Sequence, residues 1–161
     1  MEPEELELPP FWVPVPSEDG SRVYWYNTKS RASRWEKPRK QDTELKQIKA
    51  SHILIKHRGV RNPVSKGANP GEISRDFDEA LVLANEILDQ LHQSENPQLL
   101  FGQIALERSD CNSYIRNGDL GKNTRQKWQK DFADAAFELD VHEISGVISS
   151  QSGLHVVMRT E

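Results

Sequence analysis

Residues 9–38 keep no helical spacing; their apolar side chains come in short runs separated by clusters of turn formers. Ser17-Glu18-Asp19-Gly20-Ser21 and Thr28-Lys29-Ser30-Arg31 are such clusters, and they divide the stretch into three short strands. In the central run Arg22-Val23-Tyr24-Trp25-Tyr26-Asn27, strand alternation sends Tyr24 and Tyr26 to one face and Val23, Trp25 and Asn27 to the other. Residues 39–50 are polar and contain neither Gly nor Pro. Leu45 and Ile48, three apart, allow a helical turn or two over 42–48; an unstructured join is the other reading. From Ser51 the pattern changes. Ser51-His52-Ile53-Leu54-Ile55-Lys56-His57 reads as a buried strand ending in charge. Phe77, Ala80, Leu81, Ala84, Leu88 and Leu91 then recur at helical spacing, with Asp76 and Glu79 placed as an acidic N-cap and its third-position partner. A second helix is predicted from Asn96-Pro97 to Arg108, a third from Asp131 to Leu139, and a closing strand over 154–159. Strand, helices, strand in that order predict an α+β fold with a small antiparallel sheet.

Composition splits the chain in the same place. Of 161 residues, three of the four Trp and six of the nine Pro lie within residues 1–38. Thirty residues bury little core, so those aromatics must serve both packing and display. Residues 51–66 carry Lys56, Arg58, Arg61 and Lys66 with no acid, whereas residues 67–161 hold eight basic and sixteen acidic side chains. The tally implies two modules and a localised anion site. Several classes fall away. The acidic start Met1-Glu2-Pro3-Glu4-Glu5 does not read as a secretory signal, and no apolar run suits a membrane span. One cysteine supports neither an internal disulfide nor a Cys-rich zinc site, which fits a reducing compartment. Net acidity with one short basic stretch argues against nucleic acid as a partner.

The recurrent polar groups of the larger module are His52, Cys111, Ser152 and His155, with Asp110 beside the cysteine. By residue type alone they permit a Cys/His hydrolase with Cys111 as nucleophile, or a noncovalent pocket floored by histidines and a thiol. They equally permit an inert buried thiol and internally bonded histidines.

Trp12 and Trp35, 23 residues apart, with Pro9-Pro10 before the first and Pro38 after the second, resemble a WW domain, here 7–40. That resemblance implies a core of Trp12, Trp25 and Pro38, and a proline clamp of Tyr24 and Trp35. Ser17 and Arg22 would form its ligand loop. An extended polyproline-II segment docks on flat aromatics at little ordering cost. WW domains that read phosphorylated Ser-Pro sites carry arginines where this chain has Val15 and Glu18, and Asp19 lies alongside. Two carboxylates repel a phosphate dianion, with Arg22 and Arg34 as nearby compensating cations, so weak phosphate selectivity is expected of this module.

The ordered motifs Ser51-His52-Ile53-Leu54-Ile55-Lys56-His57, Ser109-Asp110-Cys111, Gly118-Asp119-Leu120-Gly121, Phe132-Ala133-Asp134-Ala135-Ala136-Phe137 and Ser152-Gly153-Leu154-His155 resemble the parvulin family of peptidyl-prolyl cis–trans isomerases. With the WW module they are similar to its two-domain, phosphorylation-directed members. The resemblance implies a domain at 51–161 with a four-stranded antiparallel sheet surrounded by helices, behind a short join at 41–50. It places His52, Cys111, Ser152, His155 and Gln129 around the isomerising peptide. Leu120, Trp128 and Phe132 would form the proline pocket, and Lys56 and Arg61 the phosphate site. It implies no cofactor or metal, partners bearing (phospho)Ser/Thr-Pro motifs, a monomer, and a place in nucleus and cytoplasm. Three positions depart from the family: Asn62 for a second arginine, Asn123 for an aromatic, Trp128 for a methionine. An adaptor that binds proline motifs with little catalysis is the alternative expectation.

Overall fold

The computed structural model describes residues 9–38 and 45–161. Strands β1 (Trp12–Pro16), β2 (Val23–Asn27) and β3 (Ser33–Arg34) form an antiparallel sheet in that order. Register pairs Trp12 with Asn27, Pro14 with Trp25 and Trp25 with Arg34, which puts these side chains on one face. Val15 stands opposite Tyr24 on the other face, where Tyr24 meets Trp35 edge-on. Trp12 and Pro38 are buried and Trp25 is half-buried.

The larger unit begins with β4 (Gln47–Ile55) and continues through β5 (Val64–Ser65), β6 (Gly71–Glu72), α1 (Phe77–Gln93) and α2 (Pro97–Arg108). A 3-10 turn at Asn112–Arg116 leads to β7 (Asp119–Thr124), and then come α3 (Lys130–Ala136), β8 (Ile148–Ser150) and β9 (Gly153–Arg159). Four strands make an antiparallel sheet in the order β7-β4-β9-β8, the expected α+β arrangement. Helix α1 opens with the expected capping box: Asp76 accepts from the Glu79 amide while the Glu79 side chain accepts from the Asp76 amide. Asn96 caps α2, with Pro97 in its first turn. No helix of the described residues is long and apolar enough to cross a membrane.

The join differs from its expectation. Residues 42–44 lie outside the described residues, and Gln47 and Ile48 are strand, not helix. Ile48 and Ala50 are fully buried two positions apart, so period two outweighs the three-residue spacing of Leu45 and Ile48. Helix α3 ends at Ala136 rather than Leu139, with Phe137 as its C-cap.

Both faces of β4 are covered. Ile53 and Ile55 pack with Leu154, Val156 and Met158 of β9 against α1 and α2. Ile48 and Ala50 face the other way, with Val157, Phe132, Ala136, Phe137 and Leu139. That second cluster also takes in Ala32, from the loop before β3.

The two sheets are thus joined through side chains. Asn27 is buried; its Oδ1 accepts from the Lys29 and Ser30 amides, shaping the loop, and its Nδ2 donates to Glu138 at 3.1 Å. Arg34 lies over the Trp12 ring and donates to both Glu143 oxygens at 2.7 and 2.6 Å. Arg31 donates to the Val147 carbonyl, and the Gly146 amide donates to the Ser30 carbonyl. A Cβ on Gly146 would sit 2.6 Å from Arg31 Cβ and 2.9 Å from its carbonyl oxygen. Gly146→Ala is therefore expected to wedge the units apart at a cost of ~1–3 kcal/mol. Arg34→Met should lose about the same, by stranding Glu143. Urea unfolding measures both costs. Nitrogen-15 relaxation should show the units of Gly146→Ala tumbling separately; common tumbling would show that the seam tolerates the methyl.

Candidate active site

Alternation along β4 and its register with β9 decide where the histidines go. His52 pairs with Val157 and Leu54 with His155, so both imidazoles share the face that carries Ile48 and Ala50. Ser51 and Ile53 point to the helices instead. The His52 amide donates to the Gly118 carbonyl, and a Cβ at Gly118 would lie 2.4 Å from the His52 carbonyl oxygen. Only glycine lets the Gly118-Asp119-Leu120-Gly121 turn approach this closely.

The rings of His52 and His155 stack with centroids 5.2 Å apart, and their Nδ1 atoms are 3.0 Å apart. One Nδ1 donates and the other accepts, so the pair shares a single proton at that contact. His155 Nε2 meets Ser150 Oγ at 2.6 Å, whereas His52 Nε2 is buried and has no partner among the described residues. Burial lowers the His52 pKa from 6.5 to about 4. Burial lowers His155 well below 6.5, and repulsion from His52 adds to that. Both rings are neutral at pH 7.

Ser150 also accepts from the Ser152 amide, and Ser152 Oγ accepts from Gln129 Nε2 at 2.6 Å. His52, His155, Ser152 and Gln129 are thereby linked through Ser150, which the sequence reading did not single out. Its signal was the Ser150-x-Ser152 spacing across a tight turn. Cys111 caps the 3-10 turn: its sulfur accepts from the Ser113 amide and its thiol donates to Asn112 Oδ1. Those partners are not histidines, so the base that a Cys/His hydrolase needs is not paired with this thiol. Ser109 Oγ accepts from the Leu54 and Cys111 amides, and Asp110 accepts from the Lys56 amide and Arg75 Nη1. Arg75 also donates to the Lys56 carbonyl, so a residue just ahead of the α1 N-cap fixes the Cys111 loop to the end of β4.

Phe132 is the apolar centre. It meets His52, His155 and Trp128 edge-on at 5.5, 5.2 and 5.2 Å. Trp128 also stands against Phe137, and Leu120 packs with Trp128 on the same cluster. Asn123 donates to the Leu120 carbonyl at 3.0 Å, bracing the turn instead of lining the pocket with a ring.

The basic stretch separates into two kinds of cation. Lys56 is buried, and its Nζ donates to the carbonyls of Asn62 and Val64 at 3.0 and 2.7 Å. It shapes the loop from within, which leaves one of its three donors. Arg58, Arg61 and Lys66 are exposed. The Arg61 amide donates to the Gln151 carbonyl, so this loop borders the turn that holds Ser152. In the N-terminal sheet Trp35 is exposed beside Tyr24, with the Arg22 guanidinium 4.0 Å over its ring. Arg34, expected to aid phosphate there, is on the opposite face and engaged by Glu143. Among the described residues no three His, Cys, Asp or Glu side chains converge as metal ligands would.

Residues 52–161 match the family model described as "Rotamase: PPIC-type PPIASE domain". The chain is 37% identical over 155 residues to the peptidyl-prolyl cis-trans isomerase pin1 of Rhizopus delemar, covering 96% of this chain and 99% of that protein. It is 35% identical over 163 residues to the peptidyl-prolyl cis-trans isomerase ESS1 of Saccharomyces cerevisiae, covering 94% and 93%. Among solved structures, peptidyl-prolyl isomerase ESS1 from Candida albicans matches with a TM-score of 0.67 at 30% identity over 96% of each chain. The chain belongs to the PPIC-type, or parvulin, peptidyl-prolyl cis–trans isomerases, with a WW-like three-stranded sheet ahead of its rotamase domain.

Proposed function

We propose that this isomerase acts on Ser/Thr-Pro bonds whose Ser or Thr is phosphorylated, and that its N-terminal sheet docks proline-containing segments of partner proteins. The bond from the Arg61 amide to the Gln151 carbonyl carries the substrate reading. It sets a loop with Arg58, Arg61 and Lys66 exposed beside the turn of Ser152, the residue whose hydroxyl is tied to Gln129 just ahead of the helix that carries Phe132. Asn62 offers hydrogen bonds without charge, so the exposed arginines supply the field.

Rotation of the amide crosses a barrier of ~18–20 kcal/mol. Every ~1.4 kcal/mol removed is worth tenfold in rate. No bond to the protein is required. A planar amide separates more charge than a twisted one, because resonance draws electrons onto its oxygen. Water favours the planar form, and an apolar wall around the proline ring weakens that preference. A cation at the carbonyl oxygen would strengthen it again. Neutral His52 and His155 supply oriented dipoles without that charge. Ser152 accepts from Gln129 and so keeps its own hydroxyl proton for the substrate.

Replacing Arg58 and Arg61 together with Ala should raise KM for a phospho-Ser-Pro peptide by on the order of tenfold or more. Turnover of the matched plain peptide should change by less than about twofold, since no apolar contact is removed. Exchange spectroscopy on the peptide pair measures both, and a surviving phosphate preference would refute the anion site. The same spectra separate an isomerase from an adaptor, which shifts signals without exchange cross-peaks.

The histidine pair sets a pH dependence with a definite sign. Unfolded histidines take up protons as pH falls through about 6.5, whereas His52 in the fold does so only near 4 and His155 also titrates well below 6.5. Stability is therefore full above pH 6.5 and declines between 6.5 and about 4. Turnover of a plain peptide should stay level through pH 6.5. An inflection at that pH that His155→Leu removed would mean that the pair titrates while folded.

A further inference from the structure

The loop between β1 and β2 carries its own anion. Asp19 Oδ1 accepts from Ser17 Oγ at 2.7 Å, the Ser21 amide at 3.0 Å and Ser21 Oγ at 2.7 Å. Ser17 Oγ accepts in turn from the Arg22 amide. These bonds hold the Asp19 carboxyl down to about 2, so it is charged at every physiological pH. Donors converging on one anionic oxygen are the kind of partners a phosphate oxygen uses, and here the chain's own carboxylate has taken them. Exposed Glu18 adds a second negative charge.

Cations near the clamp do not offset this. Val15 stands opposite Tyr24 and is neutral. Arg34 belongs to the other face and is bound by Glu143. Arg22 shares the Trp35 face, its guanidinium already stacked on that ring. A phosphate dianion arriving here would meet two carboxylates and one engaged guanidinium. A neutral proline segment needs only the flat faces of Tyr24 and Trp35.

We propose that the N-terminal sheet docks unphosphorylated proline segments, with Asp19 as the residue that turns phosphorylated ones away. This rests on the docking reading of the Tyr24–Trp35 clamp. The two units then read opposite states of a client. The sheet holds an unmodified proline site, while the rotamase domain acts where a Ser/Thr-Pro bears phosphate. A client with both kinds of site is held at high effective concentration without the two units competing for one motif.

The test titrates the full chain with proline peptides identical except for phosphate. The Trp35 indole N–H signal reports the clamp and that of Trp128 the rotamase domain. At Trp35 the plain peptide should bind at least as tightly as its phosphorylated twin. Asp19→Asn keeps an oxygen acceptor for Ser17 and Ser21 but removes the charge. It should shift the ratio toward phosphopeptide by on the order of tenfold. Glu18→Gln, which touches none of those bonds, should move it the same way by less. A wild-type preference for phosphopeptide of tenfold or more at Trp35 overturns the proposal, as do ratios that neither variant changes. If Trp128 responds to peptide and Trp35 to neither, the docking reading itself has failed and the proposal falls with it.

Discussion

The side-chain alternation of β4 is the constraint on which the rest depends. A strand with a single buried face already resists a one-residue slip, because the slip would turn its apolar side chains to solvent. This one is buried on both faces, so a one-residue slip would put Ile53 among the site residues and His52 among the helices. Pairing on both sides, with β7 and β9, removes the remaining freedom. The helical core is therefore more than support behind the site. By taking Ile53 and Ile55 it obliges the other parity of the strand to carry Ile48, Ala50 and His52, and the chemistry inherits its position from that.

The face so defined does two things at once. Its far end holds the buried histidine pair; its near end, Ile48 and Ala50, is part of the cluster that accepts Ala32. Phe132 belongs to both, since it touches His52 and His155 edge-on and packs in the cluster with Ala32. A packed interior transmits displacement rather than absorbing it. The segment running from Glu143 through Gly146 and Val147 into β8 makes a second link, because Ser150 at its end bonds His155. The aromatic cluster of Trp128 and Phe132 and the seam between the sheets are two sides of one apolar layer.

Most of this was legible where one physical signal acted alone. The capping box of Asp76 and Glu79, the Asn96-Pro97 start and the alternating faces of the aromatic run were all read from local chemistry, and all are present. Where two periodicities competed, the reading failed: Leu45 and Ile48 suggested a helix that Ile48, Ala50 and His52 override as a strand. The short strands β7 and β8 gave no pattern of their own, being six and three residues with little burial in the first. They exist because β4 and β9 offer edges to pair with. Ser150 offered only its spacing from Ser152, since its importance lies in a neighbour that the β8–β9 register supplies.

Charge was the least legible property, and the reason is general. A formal charge in a sequence is a field only if nothing in the fold has already engaged it. Lys56 reads as a phosphate ligand, yet two of its donors hold the carbonyls of Asn62 and Val64. Arg34 reads as a cation near the clamp, yet both oxygens of Glu143 hold it on the opposite face. Asp19 has gathered the donors of its own loop. In each case the interaction is short, local to one turn or one seam, and cheaper to make than to leave a charge unsatisfied. What remains of the acid-free stretch for a ligand is the charges with no side-chain partner among the described residues: Arg58, Arg61 and Lys66, exposed on a loop that Lys56 shapes from within. The buried cation builds the loop and the exposed ones carry its field, so the acid-free stretch divides its labour by depth.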